Sequence, residues 1–168
     1  YEPKIIDAET LSLSYKDIIN ILLQEKPDYI GLTSTTVNIY STAELAKKIK
    51  QEIPNIPIIL GGPHITIEPK KTMEEFDSID IGVIGEAEIT LIELLEAYKT
   101  NKQLNKVKGI IFKNNGNIIQ TLPNKIIEDL DSLPLPAWDL LPEIKKYYKQ
   151  SVARAERKPS MSLMTSRG

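Results

Sequence analysis

Three short stretches of small and polar residues have the make-up of a ligand-binding edge. Thr33-Ser34-Thr35-Thr36 sets four hydroxyls in a row, and hydroxyls with the amides behind them can line a narrow slot without filling it. Gly61-Gly62-Pro63-His64 opens with two glycines, which let a backbone approach a flat ligand closely. Gly85-Glu86-Ala87-Glu88 introduces a helical stretch, and the first amides of a helix bind polar or anionic groups. Taken singly, each has a more frequent structural explanation: a Ser/Thr run caps a helix, a Gly pair makes a tight turn, and a first-turn Glu complements the helix dipole. Taken together, one binding edge accounts for all three, whereas local explanations require three coincidences. The condition is that all three follow strands of one parallel sheet, because ligands of such sheets bind beyond the carboxyl ends of the strands.

The pattern of the chain meets that condition. Short β-branched runs at residues 4–7, 29–33, 57–60 and 80–83 alternate with stretches of helical period, the texture of βαβ units. Ile18, Ile19, Leu22 and Leu23 repeat at helical spacing, as do Ala43, Ala46, Lys47 and Ile49, and then Leu91, Leu94, Leu95 and Tyr98. Pro27 and Pro54 mark helix exits, and Pro69 suits the first turn of a shorter helix through Phe76. From about Val107 the texture changes. Residues 109–113 and 117–121 are strand-like and flank Asn114-Asn115-Gly116, a hairpin turn signature. Residues 129–142 hold Pro134, Pro136 and Pro142 and read as a stiff extended connector, with one more short strand at residues 160–165. The expected division is an α/β domain over residues 1–105, a β-hairpin appendage over 106–125, and a connector with a first strand of a further domain over 126–168.

Composition removes several functions. The 168 residues carry 21 basic and 23 acidic side chains for a net charge of −2, with no basic stripe to neutralise a phosphate backbone, so nucleic acid is not an expected partner. No apolar run reaches the ~20 residues that span a bilayer and the first residues lack the order of a signal peptide, which points away from the membrane and to the cytoplasm. Cysteine is absent, so any iron–sulfur chemistry is expected beyond Gly168.

The stretch from Pro27 to Thr35, followed by Ile58-Ile59-Leu60-Gly61-Gly62-Pro63-His64, resembles the cobalamin-binding domain of cobalamin-dependent radical S-adenosylmethionine (SAM) enzymes. Gly85-Glu86-Ala87-Glu88 looks like that family's Gly-Glu-Gly-Glu segment with Ala87 replacing the second glycine. Asp131-Ser132-Leu133-Pro134-Leu135-Pro136-Ala137-Trp138-Asp139 and the terminal Ser166-Arg167-Gly168 resemble the connector and first strand leading into the radical SAM barrel, where the three cluster cysteines would come next. Within the family, the chain is similar to the anaerobic magnesium-protoporphyrin monomethyl ester oxidative cyclases. The resemblance implies a flavodoxin-like (Rossmann-like) parallel sheet with helices on both faces, lacking the strand and helix with which the family's domain opens and carrying an appended β-hairpin. It implies cobalamin as the cofactor of this chain, with a 4Fe-4S cluster and SAM in the full-length enzyme, a C-terminal radical SAM domain as partner, and a small-molecule substrate. The function implied is to position the corrinoid for radical-initiated methyl transfer or cyclisation, with the fragment inactive alone.

Carried over residue by residue, the resemblance puts Thr33 and Thr35 at a Ser-x-Leu-type site bordering the nucleotide tail of cobalamin, with a hydroxyl at Thr35 in place of leucine. Gly61 and Gly62 take the Gly-Gly site against that tail, and the expected cofactor-binding set is Thr33, Ser34, Thr35, Thr36, Gly61, Gly62, Pro63, His64, Gly85, Glu86 and Glu88. His64 is the only histidine; the Asp-x-His-x-x-Gly motif that supplies a cobalt ligand in some cobalamin proteins does not occur, so His64 reads as a hydrogen-bonding wall or loop residue. Trp138 reads as an anchor of the connector, and Asp7 and Glu9 either face the same edge or lie in a solvated loop. If the family's first strand is missing, the strands at 4–7 and 29–33 have unpaired edges. Either they pair directly or a second copy fills the gap, with residues 160–165 as donor, and the fragment self-associates.

Two other classes fit less well. A flavodoxin-like signalling or protein-interaction domain without cofactor would share the topology, but no acidic pair ends the first strand run and no strand-end lysine precedes a proline. A nucleotide-binding enzyme would need a Gly-x-Gly-x-x-Gly or P-loop sequence, and neither occurs.

Overall fold

The computed structural model describes residues 1–148. They fall into two compact units, Leu22–Leu130 and the pair Tyr1–Ile21 with the residues from Asp131 onward.

The larger unit holds one five-stranded sheet in the order of its sequence. Its strands are β1 (Ile30–Thr33), β2 (Ile58–Gly61), β3 (Ile81–Val83), β4 (Ile110–Asn114) and β5 (Asn117–Gln120). The first three run parallel, with Ile30 opposite Ile58, Thr33 opposite Gly61, and Ile59 opposite Ile81. β4 joins β3 antiparallel and β5 closes the hairpin, so the hairpin expected as an appendage continues the sheet itself. Its turn works because Asn115 (φ 48°) and Gly116 (φ 79°) both take the left-handed conformation that a two-residue hairpin loop requires.

Helix α1 (Tyr15–Glu25) begins in the smaller unit, where a capping box fixes its start. The Ser14 amide donates to Asp17 Oδ2 at 2.9 Å while the Asp17 amide donates back to Ser14 Oγ at 3.3 Å. Between β1 and β2 lies α2 (Ile39–Glu52), which buries Ile39, Ala43, Ala46 and Ile49, a single stripe of a 3.6-residue period. Two short helices, α3 (Pro63–Ile67) and α4 (Pro69–Glu75), connect β2 to β3, and α5 (Ala87–Lys99) follows β3.

Alternation along β3 shows that both faces are covered. Ile81 and Val83 share a buried cluster with Ile59, Ile110 and Phe112 on the sheet and Leu94 and Ala97 of α5. Gly82 points the other way, and a Cβ there would lie 2.6 Å from the Ile65 side chain of α3 and 2.7 Å from Ile111. Helix α3 therefore sits where only glycine leaves it room. The result is the flavodoxin-like sheet with helices on both faces that the family resemblance implies.

The strand expected at residues 4–7 does not form. Asp7 ends that run by turning the chain: its Oδ1 accepts the Thr10 amide at 3.0 Å, its carbonyl accepts the Leu11 amide at 3.1 Å, and Leu13 bonds back to Ala8. β-branched residues make a strand only when a neighbour supplies the ladder, and among the described residues β1 pairs with β2 alone. Direct pairing of 4–7 with β1 is thereby corrected. The Pro-rich connector forms only the 3₁₀ turns Leu130–Ser132 and Trp138–Leu140 before α6 (Ile144–Tyr147), and Trp138 keeps 40% of its surface exposed. The expected strand at residues 160–165 and the terminal Ser166-Arg167-Gly168 lie outside the described residues.

Candidate functional site

The ends of β1 and β2 are tied by their backbones. Beyond the ladder, the Ser34 amide donates to the Gly61 carbonyl at 3.1 Å, and the His64 amide donates to the Ser34 carbonyl at 3.1 Å. Gly62, at φ 96° and ψ −178°, stands in a conformation essentially reserved for glycine. A Cβ there would lie 2.7 Å from the Ser34 carbonyl oxygen and 2.7 Å from Thr33 Oγ1. The second glycine is required by close approach of the first loop, whatever else that loop binds.

Within that first loop the hydroxyls divide. Ser34 is buried, and its Oγ lies 2.9 Å from the Thr35 carbonyl and 3.1 Å from Asn38 Oδ1. Asn38 Oδ1 also accepts the Thr35 amide at 2.8 Å and lies 3.2 Å from Thr35 Oγ1, so Asn38 holds the loop as α2 begins. Thr33, Thr35 and Thr36 are exposed. Thr36 Oγ1 lies 3.2 Å from His64 Nδ1, which links the first loop to the second by side chains as well. Pro63 and His64, read from sequence as loop, are the first residues of α3, with Pro63 at the helical position where its missing N–H costs nothing.

The third stretch reaches the second through Thr66, which sequence reasoning did not single out. Thr66 Oγ1 donates to the Gly62 carbonyl at 2.9 Å and accepts the Gly85 amide at 3.0 Å. Gly85, at φ 78°, is exposed. Glu86 reaches a much later segment: its Oε2 accepts the Ile127 amide at 2.8 Å. Glu88 lies in the first turn of α5.

Beside these loops the sheet carries a strip of minimal side chains. Gly31, Thr33 and Gly61 project from one face, because Thr33 is in register with Gly61 and side chains alternate along a strand. It is the face that α5 covers over Ile59, Ile81 and Val83, yet a Cβ on Gly31 would meet nothing within 4 Å and one on Gly61 only the Leu32 carbonyl at 4.0 Å. Gly31 was the second residue missed; a glycine inside a β-branched run is its signal. The arrangement offers amides, hydroxyls and a flat clearance to an elongated ligand with polar groups along its length. Among the described residues no group of three or more His, Cys, Asp or Glu could hold a metal ion, and no helix is long and apolar enough to cross a membrane. Asp7, weighed as a possible neighbour of this edge, belongs to the smaller unit, where its carboxylate accepts the Tyr148 hydroxyl at 2.5 Å. Burial pushes the Asp7 carboxyl up, but hydrogen bonds from Tyr148 and Thr10 outweigh it and hold its pKa below the usual value.

A parallel sheet with three small-residue loops at the carboxyl ends of its strands defines the class as an α/β cofactor-binding module. The B12 binding domain family matches residues 1–95, more than half of the chain, and the chain belongs to that family. Over its full length it is 36% identical to an uncharacterized methyltransferase of Pyrococcus horikoshii, covering 35% of that protein. It is 32% identical over 139 residues to the anaerobic magnesium-protoporphyrin IX monomethyl ester cyclase of Cereibacter sphaeroides, covering 81% of this chain and 22% of that protein. Among solved structures it is similar to the cobalamin-dependent SAM radical enzyme OxsB with aqua-cobalamin and SAM bound, at a TM-score of 0.63 and 25% identity over 72% of this chain and 17% of that one. The chain thus spans about a third or less of these relatives' length. The module is a B12-binding domain homologous to those of cobalamin-dependent radical SAM enzymes, which disfavours a signalling domain without cofactor.

Proposed function

We propose that this chain is the cobalamin-holding module of a larger radical SAM enzyme and presents the corrinoid to a small-molecule substrate in a following domain. The observation that carries the proposal is the strip Gly31, Thr33 and Gly61, where a Cβ on either glycine would meet no side chain, on a sheet face that is covered elsewhere. A cobalamin tail laid there would find Thr33 and Thr35 hydroxyls for its polar groups and the Gly61-Gly62 backbone for close contact. Thr36 and His64 would form a polar wall, and Gly85 with Glu88 would border the far side. Two members of the sequence-derived set act from behind: Ser34 by shaping its loop, Glu86 by holding residue 127. Bound cobalamin supplies a cobalt centre that can carry and hand over a methyl group. This chain's own residues supply binding, orientation and exclusion of water on the tail side.

The proposal extends to the rest of the enzyme: residues 126–168 lead into a radical SAM domain that brings a 4Fe-4S cluster and SAM, with methyl transfer or cyclisation as its reaction, acting in the cytoplasm. The fragment alone would be inactive. A second copy pairing at the edge of β1, which no described strand covers, belongs to the same proposal. The test is the ultraviolet–visible spectrum of the full-length protein after anaerobic reconstitution with cobalamin, iron and sulfide, followed by desalting. Corrinoid bands that co-elute with the protein, together with a cluster absorbance, are expected; corrinoid that washes away would overturn the proposal.

A further inference from the structure

A single row of hydrogen bonds leads from the Gly61-Gly62 backbone to the segment after the hairpin. It begins at the Gly62 carbonyl, passes through Thr66 Oγ1 to the Gly85 amide, and continues from the next residue, Glu86, to the Ile127 amide. Residues 122–127 are fastened at two further points. Thr90 Oγ1, fully buried, accepts from Asn124 Nδ2 at 2.9 Å, and the Gly109 amide donates to the Leu122 carbonyl at 2.8 Å. Gly109, at φ 72°, makes this possible, since a Cβ there would lie 3.2 Å from both Asn124 Cβ and Thr90 Oγ1. The strap so held carries Leu122 and Ile126 with 73% and 78% of their surfaces exposed. Burial therefore does little to hold it, and polar bonds must do so.

We infer that Thr66 and Glu86 are positioning residues that couple the cofactor edge to the strap 122–127, so that occupancy of the Gly61-Gly62 edge tightens the segment leading to residue 131. Thr66 suits the role because its one hydroxyl both donates and accepts, joining two strand ends that share no direct bond in this row. Glu86 suits it because its neighbour Gly85 receives the tie and its carboxylate passes it on. The inference rests on the cobalamin reading for the identity of the occupant, and on geometry alone for the coupling.

Hydrogen exchange of the full-length protein, with and without hydroxocobalamin, separates the two. In cofactor-free protein, Thr66→Val should speed exchange of the Gly85 amide and of peptides over 122–127 by about fivefold, the effect of losing one hydrogen bond, and Thr66→Ser should restore it. With hydroxocobalamin, wild type and Thr66→Ser should slow over 122–127 while Thr66→Val should not respond. Glu86→Ala should free the strap and abolish its response, yet leave the Gly85 amide as in wild type. Unchanged exchange over 122–127 in Thr66→Val, or a strap that still answers hydroxocobalamin in Glu86→Ala, overturns the coupling. A wild-type protein that binds no hydroxocobalamin defeats the cofactor reading instead, and the cofactor-free comparison still decides the coupling.

Discussion

The two ends of the parallel strands are built from opposite materials. At the amino ends, charge closes the structure. Asp80 Oδ2 accepts the Ile58 amide at 2.7 Å and pairs with Lys50 Nζ at 2.7 Å, while Lys50 also donates to the Ile56 carbonyl at 2.7 Å. Lys113 does the same one strand over, reaching the Phe76 carbonyl at 2.9 Å and Asp77 at 3.3 Å. At the carboxyl ends, glycines, threonine hydroxyls and backbone bonds tie the loops together. One end holds the sheet together with side chains that also satisfy backbone groups. The other keeps its side chains small and its surface open, which is where a ligand can replace water.

Gly62 gives the sharpest way to break that contrast. Gly62→Val in the full-length enzyme should force the first loop away, since its Cβ would lie 2.7 Å from the Ser34 carbonyl. Strain of this kind costs about 1–3 kcal/mol and should lower retained cobalamin about tenfold or more, read from corrinoid absorbance after desalting. Asn115→Asp in the hairpin turn should retain cobalamin as wild type does, and equal losses at both positions would point to misfolding.

Asp80→Ala should do the reverse. It removes the acceptor of the Ile58 amide and the partner of Lys50, so the denaturation midpoint should fall by the equivalent of about 1–3 kcal/mol while cobalamin retention is unchanged. Loss of cobalamin in step with stability would mean that the two ends do not divide the labour.

The smallest expected effect is a titration. Burial, then the nearby Asp80 carboxylate and Tyr29, push the Tyr98 hydroxyl up to about 12. The folded value lies above that of the unfolded chain, so the contribution of Tyr98 is intact below pH 10 and is lost as pH rises toward 12. Phenolate absorbance should show Tyr98 ionising late, as the difference from Tyr98→Phe, and Asp80→Ala should move it part of the way back.

The alternation of β-branched runs with helical stripes, the Asn115-Gly116 turn and the glycines at the strand ends were legible because each is a local requirement: a period, a left-handed φ, a close approach. The three loops could be named from sequence for the same reason. Their roles could not. Glu86 looks like a ligand-facing acid in a helix's first turn until its carboxylate is found on the Ile127 amide, 41 positions away. Thr66 lies between the 61–64 loop and the helix expected from Pro69, with nothing to mark it until Gly85 is found on its hydroxyl, 19 positions away. The 4–7 run has strand composition, yet Asp7 turns it, and among the described residues no strand pairs with it. What the amino acids determined by themselves was which backbone shapes are allowed and where small residues stand. Which hydroxyl bridges which loop, and whether a β-branched run becomes a strand, was decided by the tertiary structure, because hydrogen bonds and ladders need a second partner that sequence position does not identify.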